Sequence, residues 1–133
     1  MSDVVIDTNI VIWYFGDFSR LTNIAETTVD LAAETGTVYV ASISIVELTY
    51  LAEKNRVSEA VVEKLREAID DDSTSFRLAE LTREVADEIE NIDRSIVADM
   101  PDRIVAATAL ALGLPLVTSD GNIQQLLNVE TIW

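Results

Sequence analysis

The sequence has 133 residues, enough to bury the core of one domain, and 49% of them are hydrophobic. It contains no cysteine and no histidine. Disulfides, thiolate or imidazole metal sites, a cysteine nucleophile and a histidine base are therefore excluded, and any acid–base or metal chemistry falls to Asp and Glu.

Apolar stretches alternating with amphipathic ones predict an α/β domain. Residues 3–6 (DVVI) read as a first strand, and the apolar residues that resume at Ile10 as a helix packing back on the sheet. Leu21, Ile24, Ala25, Thr28 and Leu31 recur at helical spacing, so a helix is expected over roughly 20–34, stopped by Gly36. Residues 37–41 (TVYVA) form a second strand, and Ser42 or Ser44 is expected to cap a helix through IVELTYLAEK. Ser58 starts another helix, with Val61, Val62, Leu65 and Ile69 on one face. The acidic 71–73 is a turn, and a third strand follows near 74–78. Leu81, Val85, Ile89 and Ile92 give the stripe of a helix from about 80 to 91. Pro101 suits a helical first turn, and IVAATALAL carries that helix to Gly113. LPLVTS is a fourth strand, a short helix is expected near 121–127, and ETIW reads as a last edge strand. The expected architecture is one three-layer α/β/α domain over 1–133, with a central, mainly parallel sheet of four to five strands joined by right-handed crossovers.

No apolar run approaches the roughly 18 residues that span a bilayer. The N-terminus lacks the basic and long apolar regions of a signal peptide, so a soluble cytoplasmic protein without membrane contact is expected. The formal net charge is −15, a sign that repels nucleic acid at low salt. At about 1 M salt the Debye length falls to about 3 Å and that repulsion is screened. A halophilic source reconciles such a surface with an anionic partner; an acidic surface that only maintains solubility is the plainer alternative.

Against this background a few acids stand out. Asp7 ends the first strand and Asp120 follows PLVTS, and ligands of open parallel sheets bind at such carboxyl ends. Asp102 lies in the first turn after Pro101, with Asp99 three residues before it, and Glu47 interrupts the apolar SISIVELTYL. Two carboxylates about 4 Å apart repel by roughly 4 kcal/mol at an effective dielectric near 20, so a gathering of them protonates or takes up a cation. All-oxygen donors suit Mg²⁺ or Mn²⁺, which acidify bound water and stabilise phosphoryl charge. Plainer roles are open to each: turn or cap for Asp7, Asp99 and Asp120, dipole complement for Asp102, solvated helix face for Glu47. Trp13, Tyr14 and Phe15 read as core or interface, because no basic stripe is interleaved with aromatics.

VVIDTNIVIWYF, SISIVELTYL and DMPDRIVAATALALGLPLVTSD, in that order and spacing, resemble a PIN domain, and within that superfamily the VapC-like toxins of type II toxin–antitoxin systems. The resemblance spans nearly the whole chain and is most specific from Asp99 to Asp120. It implies a Mg²⁺- or Mn²⁺-dependent endoribonuclease in which activated water attacks an RNA phosphodiester in line, leaving a 5′-phosphate and a 3′-hydroxyl. The family's acidic positions fall on Asp7, Glu47, Asp102 and Asp120, with Asp99 as an accessory metal ligand. Asn9 matches its orienting polar residue and Thr118 the polar residue before the last acid. Arg103 is the best-placed cation for a phosphate, with Arg20 and Arg94 behind it. The resemblance further implies a homodimer and a cognate antitoxin that blocks the site.

Two other classes remain open at this point. A receiver-type signalling domain needs paired acids after its first strand and a late lysine, whereas only Asp7 ends the first strand and no lysine follows Lys64. A non-catalytic module could use the same acidic cleft to bind a basic partner segment, whose arginine would pair bidentately with the carboxylates.

Overall fold

The structure, a computed structural model, describes residues 2–133. Its centre is a five-stranded sheet, parallel throughout, in the order β3-β2-β1-β4-β5. The strands are β1 (Val4–Ile6), β2 (Val38–Ala41), β3 (Phe76–Ala79), β4 (Leu116–Val117) and β5 (Thr131–Ile132). The helices are α1 (Thr8–Phe15), α2 (Asn23–Thr35), α3 (Ser42–Glu53), α4 (Glu59–Asp70), α5 (Arg83–Glu88) and α6 (Met100–Leu112). β1 is fully buried, as a β-branched central strand covered on both faces must be.

Side-chain alternation along the strands sorts the core into two layers. Val4 and Ile6 of β1 join Val38 and Val40, and pack with Ile10, Val29, Leu48 and Leu65 from α1 to α4. Val5 and Leu116 point the other way, onto Val105, Ala106 and Ala109 of α6 and onto Val85 and Ile123. The alanines bring α6 close to the sheet, and Gly113 ends it in the left-handed conformation at φ 66°. Leu116→Ala should cost about 2–5 kcal/mol, because the cavity lies between a two-residue strand and a helix with little side chain to collapse inward. Urea unfolding with an unchanged slope and a lower midpoint is the readout.

The expected three-layer α/β/α architecture is present, with differences of detail. The buried stripe of α2 is Ala25, Val29 and Ala32, with Leu21 buried just before the helix; Ile24 and Leu31 are exposed. That helix starts later than expected because a 3-10 turn at Phe18–Arg20 precedes the Thr22 cap. Neither Ser42 nor Ser44 caps α3: its N-cap is Ala41, with no side-chain hydrogen bond. Ser42 Oγ instead accepts from the Leu81 amide, and Ser44 Oγ faces Thr8. The helix expected over 80–91 is α-helical only from Arg83 to Glu88, then tightens into a 3-10 turn at Ile89–Asn91. The segment 121–127 holds only a 3-10 turn, Ile123–Gln125, because Asp120 Oδ1 takes the amides of Asn122 and Ile123 and the Gln124 side chain bonds the Thr118 carbonyl.

Strand order reverses at β1, which lies between β2 and β4. The crevice at the carboxyl ends of β1 and β4 is therefore the topological switch point. Asp7 follows β1 directly, and Thr118 and Asp120 follow β4. No described helix is long and apolar enough to cross a membrane.

Candidate active site

Five polar residues of the described chain are buried: Asp7, Thr8, Ser44, Thr108 and Thr118. Thr108 bonds its own helix at the Ile104 carbonyl. The other four lie in hydrogen-bonded groups at the carboxyl edge of the sheet. Asp7 Oδ1 accepts from the Thr8 amide at 2.8 Å, and Oδ2 accepts from Thr118 Oγ1 at 2.7 Å. The same Thr118 hydroxyl accepts from the Asp120 amide at 3.0 Å, so one side chain ties the first acid to the turn bearing the last. Thr8 Oγ1 donates to Glu47 Oε1 at 2.6 Å and lies 2.8 Å from Ser44 Oγ. A hydroxyl carries one proton, so with Glu47 ionised the relay runs Ser44 to Thr8 to Glu47.

Asp102 comes from the other side, in the first turn of α6, whose N-cap Asp99 accepts the Asp102 amide at 3.2 Å. Glu47 and Asp99 line a cleft of about 400 Å³ with Ile43, Val46, Tyr50, Leu51 and Pro101. The structure thus brings Asp7, Glu47, Asp99, Asp102 and Asp120 to one region, where they act on one another electrostatically. Burial raises the carboxyl of Asp7 above its ordinary range, opposed by the Thr118 and Thr8 hydrogen bonds, with Asp120 adding repulsion. Glu47 is raised by burial and by Asp7 and Asp99, against the Thr8 hydrogen bond. Asp102 is pushed up to about 7, by burial first and then by Asp7, Asp99, Asp120 and Glu47. Such crowding of like charge is relieved by a cation.

The donor set is all carboxylate oxygen, which fits a hard divalent cation. In their present rotamers, no three acids among the described residues are already arranged to hold one. Asp7 is clamped at both oxygens and Asp120 Oδ1 is engaged by two amides. Glu47 is held at one oxygen by Thr8, whereas the half-buried Asp102 makes no side-chain hydrogen bond to any described residue and is the acid most able to turn toward an ion.

Two expected site residues are placed differently. Arg103 does not extend toward a phosphate: its Nη2 donates to the carbonyls of Ile89 and Ile92 at 2.8 and 3.0 Å, closing the 3-10 turn, and its Nε is buried without a partner. Asn9 is exposed and makes no side-chain hydrogen bond to any described residue, whereas its neighbour Thr8 is buried and bonded. Thr8 went unread in the sequence and Ser44 was read only as a helix cap; the available signal was a hydroxyl residue next to Asp7 and another three positions before Glu47, in otherwise apolar surroundings. Replacing Thr118 by Val should cost about 1–3 kcal/mol, since the Asp7 carboxylate and the Asp120 amide each lose a partner. Thr118→Ser keeps the hydroxyl and should stay near wild type in the same chemical-denaturation series.

A fold and site of this kind define a class, and comparison with known proteins supplies it. The family model described as PIN domain matches residues 4–127, and the chain belongs to that family. Ribonuclease VapC22 of Mycobacterium tuberculosis is 30% identical over 140 residues, covering 100% of both chains. Among solved structures, VapBC2 of Rickettsia felis bound to a promoter DNA fragment superimposes with a TM-score of 0.74 at 17% identity, covering 97% of this chain and 96% of that one. DNA-bound VapBC of Salmonella typhimurium gives 0.72 at 18% identity, covering 98% and 97%.

Proposed function

We infer that this chain, acting as one PIN-like unit over 1–133, is a divalent-metal-dependent endoribonuclease and the toxin of a toxin–antitoxin pair in the cytoplasm. The carrying observation is the group of acids at the β1/β4 switch point, held by buried hydroxyls, where burial and then mutual repulsion push the Asp102 carboxyl up to about 7. Membership of the PIN family and the similarity to a ribonuclease support the reading.

In it, Asp7, Glu47, Asp102 and Asp120 would hold Mg²⁺ or Mn²⁺, with Asp99 as an accessory acid. A divalent ion bound there supplies the charge that acidifies water and stabilises a phosphodiester oxygen in the transition state. Thr118 and the Thr8 amide fix both oxygens of Asp7, so its direction is set before any ligand arrives. Thr8 orients Glu47, and a cation in the cleft would favour the ionised form of Asp102, whose carboxyl burial and its acidic neighbours push up. Products carry 5′-phosphate and 3′-hydroxyl ends.

The antitoxin expectation is supported by the solved relatives, which are VapBC complexes. A homodimer is supported by α3, which exposes Val46 and Tyr50 beside Glu47, with Met100 nearby in sequence to Asp99. A halophilic setting is supported by the surface: among the described residues one ion pair forms, Arg83–Asp87, which leaves the acidic excess uncompensated. Stability and cleavage should therefore both rise as KCl goes from about 0.1 M to about 1 M, where screening is nearly complete.

The test is incubation of purified protein with transfer and ribosomal RNA at high salt, with Mn²⁺, Mg²⁺ or EDTA, and mapping of cut ends. Discrete metal-dependent cuts with 5′-phosphate ends are expected. A second reading, the non-catalytic cleft that binds a basic partner segment, draws on the clamped rotamers of Asp7 and Asp120. Intact RNA under all metals, with tight binding of an arginine-bearing peptide, selects it instead.

A further inference from the structure

The chain has two tryptophans, and the fold brings them together. Trp13 of α1 and Trp133, directly after β5, have ring centroids 5.9 Å apart at 44°. The guanidinium of Arg20, at the end of the 3-10 turn, lies 5.0 Å from the centre of the Trp13 ring. Both indoles are half-buried against the core, and Arg20 is exposed. Among the described residues Arg20 pairs with no carboxylate, although acids outnumber cations 24 to 9 in this chain. Its neighbour Asp17 is occupied by Ser19.

The position of this cluster gives it meaning. β5 pairs with β4 in the register Val117↔Ile132, and the Thr118 amide donates to the Ile132 carbonyl at 3.1 Å. Trp133 is therefore the next residue along the carboxyl edge from Thr118, the side chain that clamps Asp7. Asp7, Thr118 and Trp133 follow neighbouring strands along this edge, and Trp133 carries the contact on to Trp13 and, through it, to Arg20. An aromatic face and a planar cation side by side are the two elements that grip unpaired nucleotides: the base stacks on the ring or on the guanidinium plane, and the phosphate meets the charge. An exposed guanidinium without a carboxylate partner matches an anionic ligand, so nucleic acid is the occupant the chemistry favours.

We propose that Trp13, Trp133 and Arg20 form a nucleotide-binding subsite that holds one unpaired RNA base and its phosphate next to the cleavage centre. The proposal rests on the nuclease reading for its substrate and extends it by assigning these residues to substrate binding: they set KM rather than kcat.

Because both tryptophans sit in the subsite, indole emission reports on it directly. Single-stranded RNA of about 12 nucleotides, within the usual span of single-strand sites, is titrated into the cleavage-silent Asp102→Asn protein, with a duplex of equal length alongside. Emission should change with the single strand and not with the duplex. In otherwise wild-type protein, Trp133→Leu and Arg20→Gln should each raise KM roughly tenfold, as loss of one stacking or phosphate contact does, with kcat within about twofold; Trp133→Phe should retain most of the affinity. Thermal melts identify any loss that comes from misfolding, and the exposed Arg20→Gln is the variant that leaves the core untouched. Unchanged emission with single-stranded RNA, or wild-type KM in both Arg20→Gln and folded Trp133→Leu, overturns the subsite while metal-dependent cutting by wild type leaves the nuclease reading standing. An emission change without any cutting by wild type has the reverse meaning: the subsite stands and the catalytic assignment falls.

Discussion

Asp102→Asn should lower RNA cleavage by at least about 100-fold, since a carboxylate that helps hold the ion contributes to several kcal/mol of transition-state stabilisation. The substitution is close to isosteric, and Asp102 is half-buried rather than enclosed. It also removes a carboxyl that Asp7, Asp99, Asp120 and Glu47 already disfavour as an anion. The metal-free variant should thus be as stable as wild type or more so at neutral pH. Loss of activity with an equal or higher melting temperature marks a functional acid kept at the expense of stability. Full activity in a folded Asp102→Asn protein would remove this residue from the site.

The metal-free protein should lose stability as pH rises. Asp102 titrates from an ordinary value of 3.8 to about 7 on folding, so between those values the native state binds more protons than the unfolded chain. Stability then falls with increasing pH across that window and levels off above it. Burial of Asp7 and Glu47 acts in the same direction. General repulsion in a chain of net charge −15 also has this sign, so the assignment needs a control. Asp102→Asn should flatten the slope between about pH 5 and about pH 8, and millimolar Mg²⁺ should restore most of the wild-type melting temperature at the upper end, because the ion binds only the folded site. A wild-type melting curve indifferent to Mg²⁺ at high pH would argue that the acids do not form a cation site.

Much of the fold was legible because its signals are local and strong. VVI, VYVA and the Pro101-to-Gly113 helix announce themselves through β-branched runs, a proline at a helix start and a glycine at its end. The acids at strand ends were legible for the same reason: polarity breaks an apolar run where the chain leaves the sheet. What the sequence did not disclose depends on contacts between distant residues. Ser44 looked like a cap because serine before an apolar helix usually is one, yet its partner Thr8 lies 36 positions away. Arg103 looked free because it adjoins Asp102, and only the 3-10 turn draws the guanidinium aside, onto the Ile92 carbonyl and onto the Ile89 carbonyl that also accepts the Ile92 amide. The Ile24 and Leu31 positions fit a helical period, but a stripe one step away, through Val29 and Ala32, is the one the sheet covers. Trp13 read as core, and it is partly that; its pairing with Trp133 depends on the two ends of the chain meeting.

The bond from Thr118 to Asp7 spans 111 positions of sequence. During synthesis the ribosome releases β1 first, and Asp7 then waits for its second hydrogen-bond donor until the chain has been made past residue 118. Strand β4, which flanks Asp7 on the open side of the crevice, is equally late. A chain made only as far as α6 therefore carries the first acids without an assembled centre, because the donor that sets the direction of Asp7 has yet to be added.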